Sequence, residues 1–262
     1  MSTSSEIVSG LGKMRGISLE EVLKASLMRR KDSKYVFEVS LIPALLEMVS
    51  DTYRVLDISE VRAQEYQTFY YDTPDLDMYH MHHRGEVNRH KVRFRKYGTS
   101  NSMFLEVKKK NGKGVTVKNR IETGNGKVVI KSTEEEFLAE FIPQQYEYIV
   151  PVLENSFNRI TLVNESQTER ITLDYNLTFA NFGSKDLIEV PGVAIAEIKY
   201  GNHLAGSVFH AALRSKKIIP RRISKYCIGM AMLNPELKQN FFKQKLRHVN
   251  KINFQHLQSL NL

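Results

Sequence analysis

One cysteine, Cys227, stands in 262 residues, so the chain has no internal disulfide framework and no Cys-rich zinc site, and it fits a reducing compartment. It also lacks a long apolar run: no window is long and apolar enough to cross a bilayer. Met1 to Gly12 contains Ser and Gly without a continuous apolar core and does not read as a signal peptide, so the expectation is a cytoplasmic protein. A complete phosphate loop is missing too. Asn111-Gly-Lys-Gly114 and Gly124-Asn-Gly-Lys127 lack the Walker spacing and its terminal Lys-Ser/Thr, and read as turns. His80, His82, His83 and His90 follow no closed zinc spacing and read as structural or solvent-facing. No internal repeat and no linker interrupt the chain. Acidic residues are the scarcer charge, 29 Asp+Glu against 38 Lys+Arg, for a formal charge of +9 and a pI near 9.4; acidic ligands, nucleic acid or anionic surfaces are the partners this balance admits.

What is present is alternation. Lys91-Val-Arg93-Phe-Arg95, Glu106-Val-Lys108, Lys118-Asn-Arg120-Ile-Glu122 and Glu197-Ile-Lys199 each put charge on every second residue, and Arg170-Ile-Thr172-Leu-Asp174 alternates in the same way with Thr172 between its two charges. Successive side chains of a strand point to opposite faces, so each segment gathers its charges on one face and most of its apolar residues on the other. Paired, such strands form a basic wall that repels itself unless water or an anion fills the space beside it. The wall suits a polyanion, and the acidic residues scattered in it leave room for a metal ion.

Other elements follow from capping and period. Ser18 with Glu21 three residues later predicts a helix over 17–31, after a flexible 1–16. Lys34 to Val39 reads as a strand, Ser40 to Met48 as a helix, Thr68 to Asp72 as a strand closing at Thr73-Pro74-Asp75, and Leu76 to His83 as a short helix. The charged strands then run as a meander, with a first turn at 98–101. Glu134 to Phe141 and Gln145 to Phe157 are expected to be helical, Arg159 to Glu165 and Glu169 to Phe179 a hairpin, and Val193 to Tyr200 a strand. Ala205 to Lys216, Ile223 to Leu233 and Pro235 to His248 read as helices, the last opening a helical tail over 235–262. Cys227 lies in an apolar helical run and is expected in the core. The whole chain, 1–262, reads as a single domain of α+β class: an antiparallel β-barrel with helices packed on its outside, since closure removes sticky edges and encloses a channel. Its charged interior inverts the usual apolar barrel interior.

The run Tyr70-Tyr71-Asp72-Thr73-Pro74-Asp75, then Tyr79-His80, Asn88-Arg89, Lys91 to Gly98, Leu105 to Lys108, Val117 to Arg120, Arg159, Arg170 to Asp174, Glu197 to Lys199 and Ser224-Lys225-Tyr226 resembles, in order, the VTC domain of the triphosphate tunnel metalloenzymes. The resemblance implies an eight-stranded antiparallel tunnel that polymerises inorganic polyphosphate from ATP with a divalent metal, Mn²⁺ or Mg²⁺. It makes Lys34, Arg93, Arg95, Lys108, Lys118, Arg159, Arg170, Lys199, Arg222 and Lys225 phosphate ligands and Glu197 the metal ligand, with Lys91 and Arg120 the weaker members of the wall. The chemistry agrees. An acceptor phosphate carries its own anionic oxygens, so transfer can rest on alignment and charge neutralisation; Arg supplies forks for phosphate oxygens, Lys supplies point charges, and one carboxylate suffices where substrate oxygens complete a metal's shell. Glu106 and Glu122 either assist or balance charge.

Hydrolytic relatives are expected to carry a Glu-x-Glu pair on the first strand, where this chain has Lys34-Tyr35 with Glu38 displaced; chain extension is therefore favoured. The rivals are a tripolyphosphatase or nucleoside triphosphatase in the same tunnel, and a non-catalytic polyphosphate or nucleic-acid binding module. The expected partners are ATP and polyphosphate rather than nucleic acid, and any coupling to a membrane needs a separate partner.

Overall fold

The alternation in the sequence becomes one 11-stranded sheet in a computed structural model that describes residues 3–24, 31–98, 102–112, 116–124, 128–146, 148–201 and 204–260. In chain order the elements are α1 (Thr3–Lys13), β1 (Gly16–Ile17), α2 (Leu19–Lys24), β2 (Lys31–Glu38), α3 (Ile42–Val49), β3 (Tyr53–Leu56), β4 (Gln64–Asp72), α4 (Asp77–His83), β5 (Arg89–Tyr97), β6 (Met103–Lys110) and β7 (Thr116–Thr123), then α5 (Ser132–Phe141), β8 (Val150–Asn164), β9 (Glu169–Asn181), β10 (Leu187–Val190), β11 (Val193–Tyr200), α6 (Val208–Ser215), α7 (Lys225–Leu233) and α8 (Lys243–Leu260). Eight strands form the main path, β2-β11-β9-β8-β4-β5-β6-β7, every neighbour antiparallel. Off this path β10 extends the sheet beside β9, and β3 pairs with β8 and with β1, the latter in parallel.

The sheet curls. β11 and β6 lie five places apart along the path, about 24 Å if the sheet were flat at its usual strand spacing, yet Lys108 of β6 acts electrostatically on Glu197 of β11. Lys34 of β2 acts in the same way on Lys91 of β5. The eight strands thus wrap a lumen with the charged faces inward. Hydrogen bonding does not close the ring: among the described residues no strand pairs the outer sides of β2 and β7. The connection between α6 and α7 lies along β2 instead, where the Arg221 N–H donates to the Lys34 carbonyl at 2.7 Å.

Helices cover the outer face. α1, α3 and α6 bury Leu11, Leu45, Leu46 and Phe209 against Ile160, Leu162, Leu173 and Ala196, and α5 buries Leu138 against Phe94 and Leu105. Each such side chain removed from water contributes about 1.5–3 kcal/mol. One helix departs from the outside arrangement. α7 enters one end of the lumen, and its Tyr226, Cys227, Ile228 and Met230 pack with Tyr70, Leu153, Phe157 and Phe179 from the inward face of the strands. Gly229 lets it in: a Cβ there would come within 2.5 Å of Phe179 and 2.9 Å of Leu153. The interior is therefore charged in one half and apolar in the other, which corrects the expectation of a basic wall along its whole length. Cys227 is buried in this plug, as expected.

Three further expectations change. Gln145 to Phe157 is not helical: a short 3-10 turn (Gln144–Tyr146) leads into β8, in which Leu153, Asn155 and Phe157 are buried alternately, a period of two that Pro151 also favours over a helix interior. The segment 1–16 carries α1, anchored by buried Ile7 and Leu11, rather than a flexible start. The helix expected over 17–31 spans Leu19–Lys24, with its Ser18–Glu21 capping box formed; 25–30 lie outside the described residues, and Lys31 already belongs to β2. The turns expected at 98–101, 111–114 and 124–127 lie largely outside the described residues. No helix among the described residues is long and apolar enough to cross a membrane.

Candidate functional site

The register sets the lumen face residue by residue. Lys91, Arg93 and Arg95 of β5 stand opposite Lys108, Glu106 and Phe104 of β6, and Lys118 and Arg120 of β7 stand opposite Lys108 and Glu106. On the far wall Glu197 of β11 lies between Lys34 of β2 and Thr172 of β9, and Lys199 pairs with Arg170. Arg159 of β8 faces Asp174 of β9. Beyond Asp174 the irregular ladder, with Asn176 at φ 52°, shifts the alternation, so that Leu177 and Phe179 join the apolar half.

Three carboxylates organise the bases, and each holds two. Glu106, with a fully buried side chain, accepts from Arg93 Nε at 2.8 Å and Nη2 at 2.6 Å and is ion-paired to Lys118. Asp174 accepts a bidentate fork from Arg159 at 2.6 and 2.7 Å and is ion-paired to Lys225 of the plug helix. Glu197 binds Lys34 with one oxygen and Lys199 with the other at 3.3 Å. Burial alone would raise the pKa of all three carboxyls, but the neighbouring cations outweigh it and hold them ionised: Arg93, Arg95 and Lys118 at Glu106, Arg159 and Lys225 at Asp174, Lys199, Lys34 and Lys108 at Glu197.

The bases outnumber these acids, and burial with neighbouring bases lowers the lysines. Burial draws Lys91, Lys118 and Lys225 down to about 8. Lys108, which forms no ion pair among the described residues, is held well below the usual lysine range by Arg93 and by burial. A set of cations in this state is stabilised by any anion that enters. Arg95 adds a guanidinium 3.4 Å from Thr68 Oγ1 and 5.4 Å from the centre of the Tyr66 ring.

Of the residues expected at the site, Lys34, Arg93, Arg95, Lys108, Lys118, Arg159, Lys199, Lys225 and Glu197 line this one lumen, and Arg170 stands on the same face at its Lys199 end. Arg222 is exposed and acts on Lys110 and Lys245, apart from the Glu197 cluster. Lys91 donates to Ser224 Oγ at 3.0 Å, which ties β5 to the start of α7, and Arg120 lies over Phe104 on the edge strand. His90 is buried and His82 partly so, with burial and basic neighbours lowering His82, so neither reads as a ligand. Two residues were missed. Asp174 is one; its position four residues from Arg170 on an alternating strand was the available signal. Asp72 is the other: it accepts the backbone N–H groups of Thr73, Met78 and Tyr79 and the hydroxyl of Tyr226, and so anchors α4 and α7 together.

One family model, the VTC domain, matches residues 29–234 of this chain. The chain belongs to the VTC domain family. No curated protein matches it in sequence. Among solved structures, the VTC chain is similar to the Hippeastrum protein HpAC1, described as an adenylyl cyclase candidate with a dominant triphosphatase activity (TM-score 0.47, 14% identity, 80% of this chain and 99% of that one). It is also similar to a Vibrio parahaemolyticus protein described as an adenylate cyclase candidate (TM-score 0.45, 12% identity, 77% of this chain and 97% of that one). The family assignment rests on the sequence match alone.

A divalent metal here would share its shell with substrate oxygens. Among the described residues no group of three or more His, Cys, Asp or Glu converges, so the protein offers no cage of its own. The lumen donors are carboxylate oxygens, which suit Mg²⁺ or Mn²⁺ when phosphate oxygens supply the rest of the shell. Glu197 fits best: its side chain is 18% exposed and its partners are lysines, whereas Glu106 and Asp174, 0% and 4% exposed, are each held by an arginine.

Proposed function

We propose that this VTC domain is a polyphosphate polymerase that transfers the γ-phosphoryl group of ATP to the end of an inorganic polyphosphate chain. The observation that carries the reading is the Lys34–Glu197 pair. On the first lumen strand, where a hydrolytic site is expected to carry metal-binding acids, this chain places a base beside its metal-ligating carboxylate, and a base there holds a second anion.

A terminal oxygen of the acceptor chain attacks the γ-phosphorus; the new P–O bond forms as the bond to the β,γ-bridging oxygen breaks, and the electron pair leaves with ADP. No protein nucleophile is needed. Arg93 and Arg159 are already fixed by their carboxylates and present pre-aligned N–H groups, so little reorganisation is required when charge moves. Lys108, which interacts with both Arg93 and Glu197, neutralises the transferring group in this reading, and Lys34 and Lys199 exchange Glu197 for phosphate oxygens as substrate enters. Held by Glu197 and those oxygens, Mn²⁺ or Mg²⁺ would supply Lewis-acid neutralisation of the phosphoryl oxygens.

The test is incubation of the purified protein with ATP and Mn²⁺. Long acid-labile phosphate polymer is expected; stoichiometric orthophosphate without polymer would instead make water the acceptor and the protein a triphosphatase. Glu197→Gln is expected to lower metal-dependent turnover by about 100-fold or more, the scale of losing one preorganised electrostatic group, and wild-type turnover in that variant would remove Glu197 from the metal role.

A further inference from the structure

A polyanion site has no evident use for aromatic rings, yet four of them adjoin on the lumen face. Phe157 and Tyr66 stack with centroids 5.4 Å apart and planes at 14°, Tyr66 meets Tyr97 edge-on at 4.9 Å, and Tyr97 meets Phe104 edge-on at 5.6 Å. Burial falls along this row. Phe157 and Tyr66 are buried under Arg95 and Arg159, where cation–π contact explains them, whereas Tyr97 and Phe104 are part-exposed, with the guanidinium of exposed Arg120 4.7 Å above Phe104. The outer end of the row is thus an aromatic surface on the wall of a phosphate lumen, with a cation to cover its other side.

We propose that Phe104 and Tyr97, with Arg120, form the platform on which the nucleobase of the nucleoside triphosphate stacks. This rests on the reading of the lumen as an ATP site and adds to it the place of the nucleoside. Phe104, Glu106 and Lys108 share one face of β6, so Phe104 lies four residues from Lys108, about 13 Å along the strand. A triphosphate and a ribose bridge that span when the γ-phosphate sits at Lys108. The direction is set by the start of α7, which sits at Lys91, opposite Lys108, so the nucleoside trails the other way along β6 toward Phe104. Every base has a π face, so such a platform accepts bases broadly while rewarding a nucleoside triphosphate over bare triphosphate.

The experiment is calorimetric titration of the full chain with two probes, adenylyl imidodiphosphate and inorganic tripolyphosphate. Phe104→Ala is expected to weaken the nucleotide by about fivefold to about a hundredfold, the usual worth of one stacked base, and to leave tripolyphosphate within about twofold of wild type. Phe104→Leu, which keeps apolar bulk without a π face, should show the same split at smaller size. Equal losses for both probes, or none for the nucleotide, would overturn the platform while leaving the lumen reading intact. Failure of wild type to bind tripolyphosphate would overturn the lumen reading and the platform with it.

Discussion

The two halves of the lumen are built from the same strands and solve the same problem in opposite ways. Around Glu106, Asp174 and Glu197 the inward residues are charged, each acid clamps two bases, and the surplus positive charge calls for an anion from outside. Around Leu153 and Phe179 the inward residues are apolar, and a helix of the same chain supplies the filling. An empty space lined by charge is stabilised by water and ions, while one lined by hydrocarbon is not. The contrast gives the tunnel a direction: one half is lined by charge and the other is closed by α7. Lys225 and Tyr226 join the two, since one helix turn sends an ammonium to Asp174 and a hydroxyl to Asp72.

Breaking the charged half should have the largest effect. Glu106→Ala leaves Arg93 and Lys118 without their buried partner, and a loss of about 3–5 kcal/mol in urea unfolding is expected, as for other broken buried pairs. Tripolyphosphate should restore much of it, because the ligand replaces the missing negative charge. In the apolar half, Gly229→Ala forces a Cβ against Phe179 and Leu153 and should cost about 1–3 kcal/mol, the range for overpacked cores. Tripolyphosphate should not restore that loss selectively, and a rescue equal to that of Glu106→Ala would erase the distinction between the halves.

Acidity gives the smallest and sharpest separation. Lys91, Lys118 and Lys225 are drawn to about 8 in the folded protein, below the ordinary lysine value of about 10.4 that the unfolded chain retains. In the free protein the cost of holding them charged is fully present below pH 8 and is relieved as pH rises from there toward the unfolded value, so these groups add stability over that window. Ligand binding follows the opposite slope, since a polyanion needs the charged form. Tripolyphosphate affinity should therefore fall between pH 7 and pH 9 by about tenfold, and the thermal shift it produces should shrink accordingly. An affinity flat across that range would show that these lysines do not contact the ligand.

Much of the charged half was legible because it depends on a period of two. Arg93, Arg95, Lys108, Glu197 and Lys199 sit on alternate residues of short strands, and alternation by itself puts them on one face. The apolar half was not legible in the same way. Its Leu153 and Phe157 lie in a stretch whose apolar spacing also fits a helix, and Phe179 reaches the lumen only because the ladder shifts near Asn176. α7 was expected as a helix, but nothing local distinguishes a helix that covers a barrel from one that enters it. The close approach at Gly229 depends on Phe179, some fifty residues away. The aromatic row was likewise hidden, since Tyr66, Tyr97, Phe104 and Phe157 come from four different strands.

Local sequence settled which residues carry charge and that they alternate to share one face of a strand, because the direction of a side chain along a strand is a local property. Tertiary structure alone decided which acid holds which pair of bases, which half of the lumen α7 fills, and where the rings meet. Those depend on strand order, ladder irregularities and curl, which bring Lys108 to Glu197 across five strands, and no local period records a contact made at that distance.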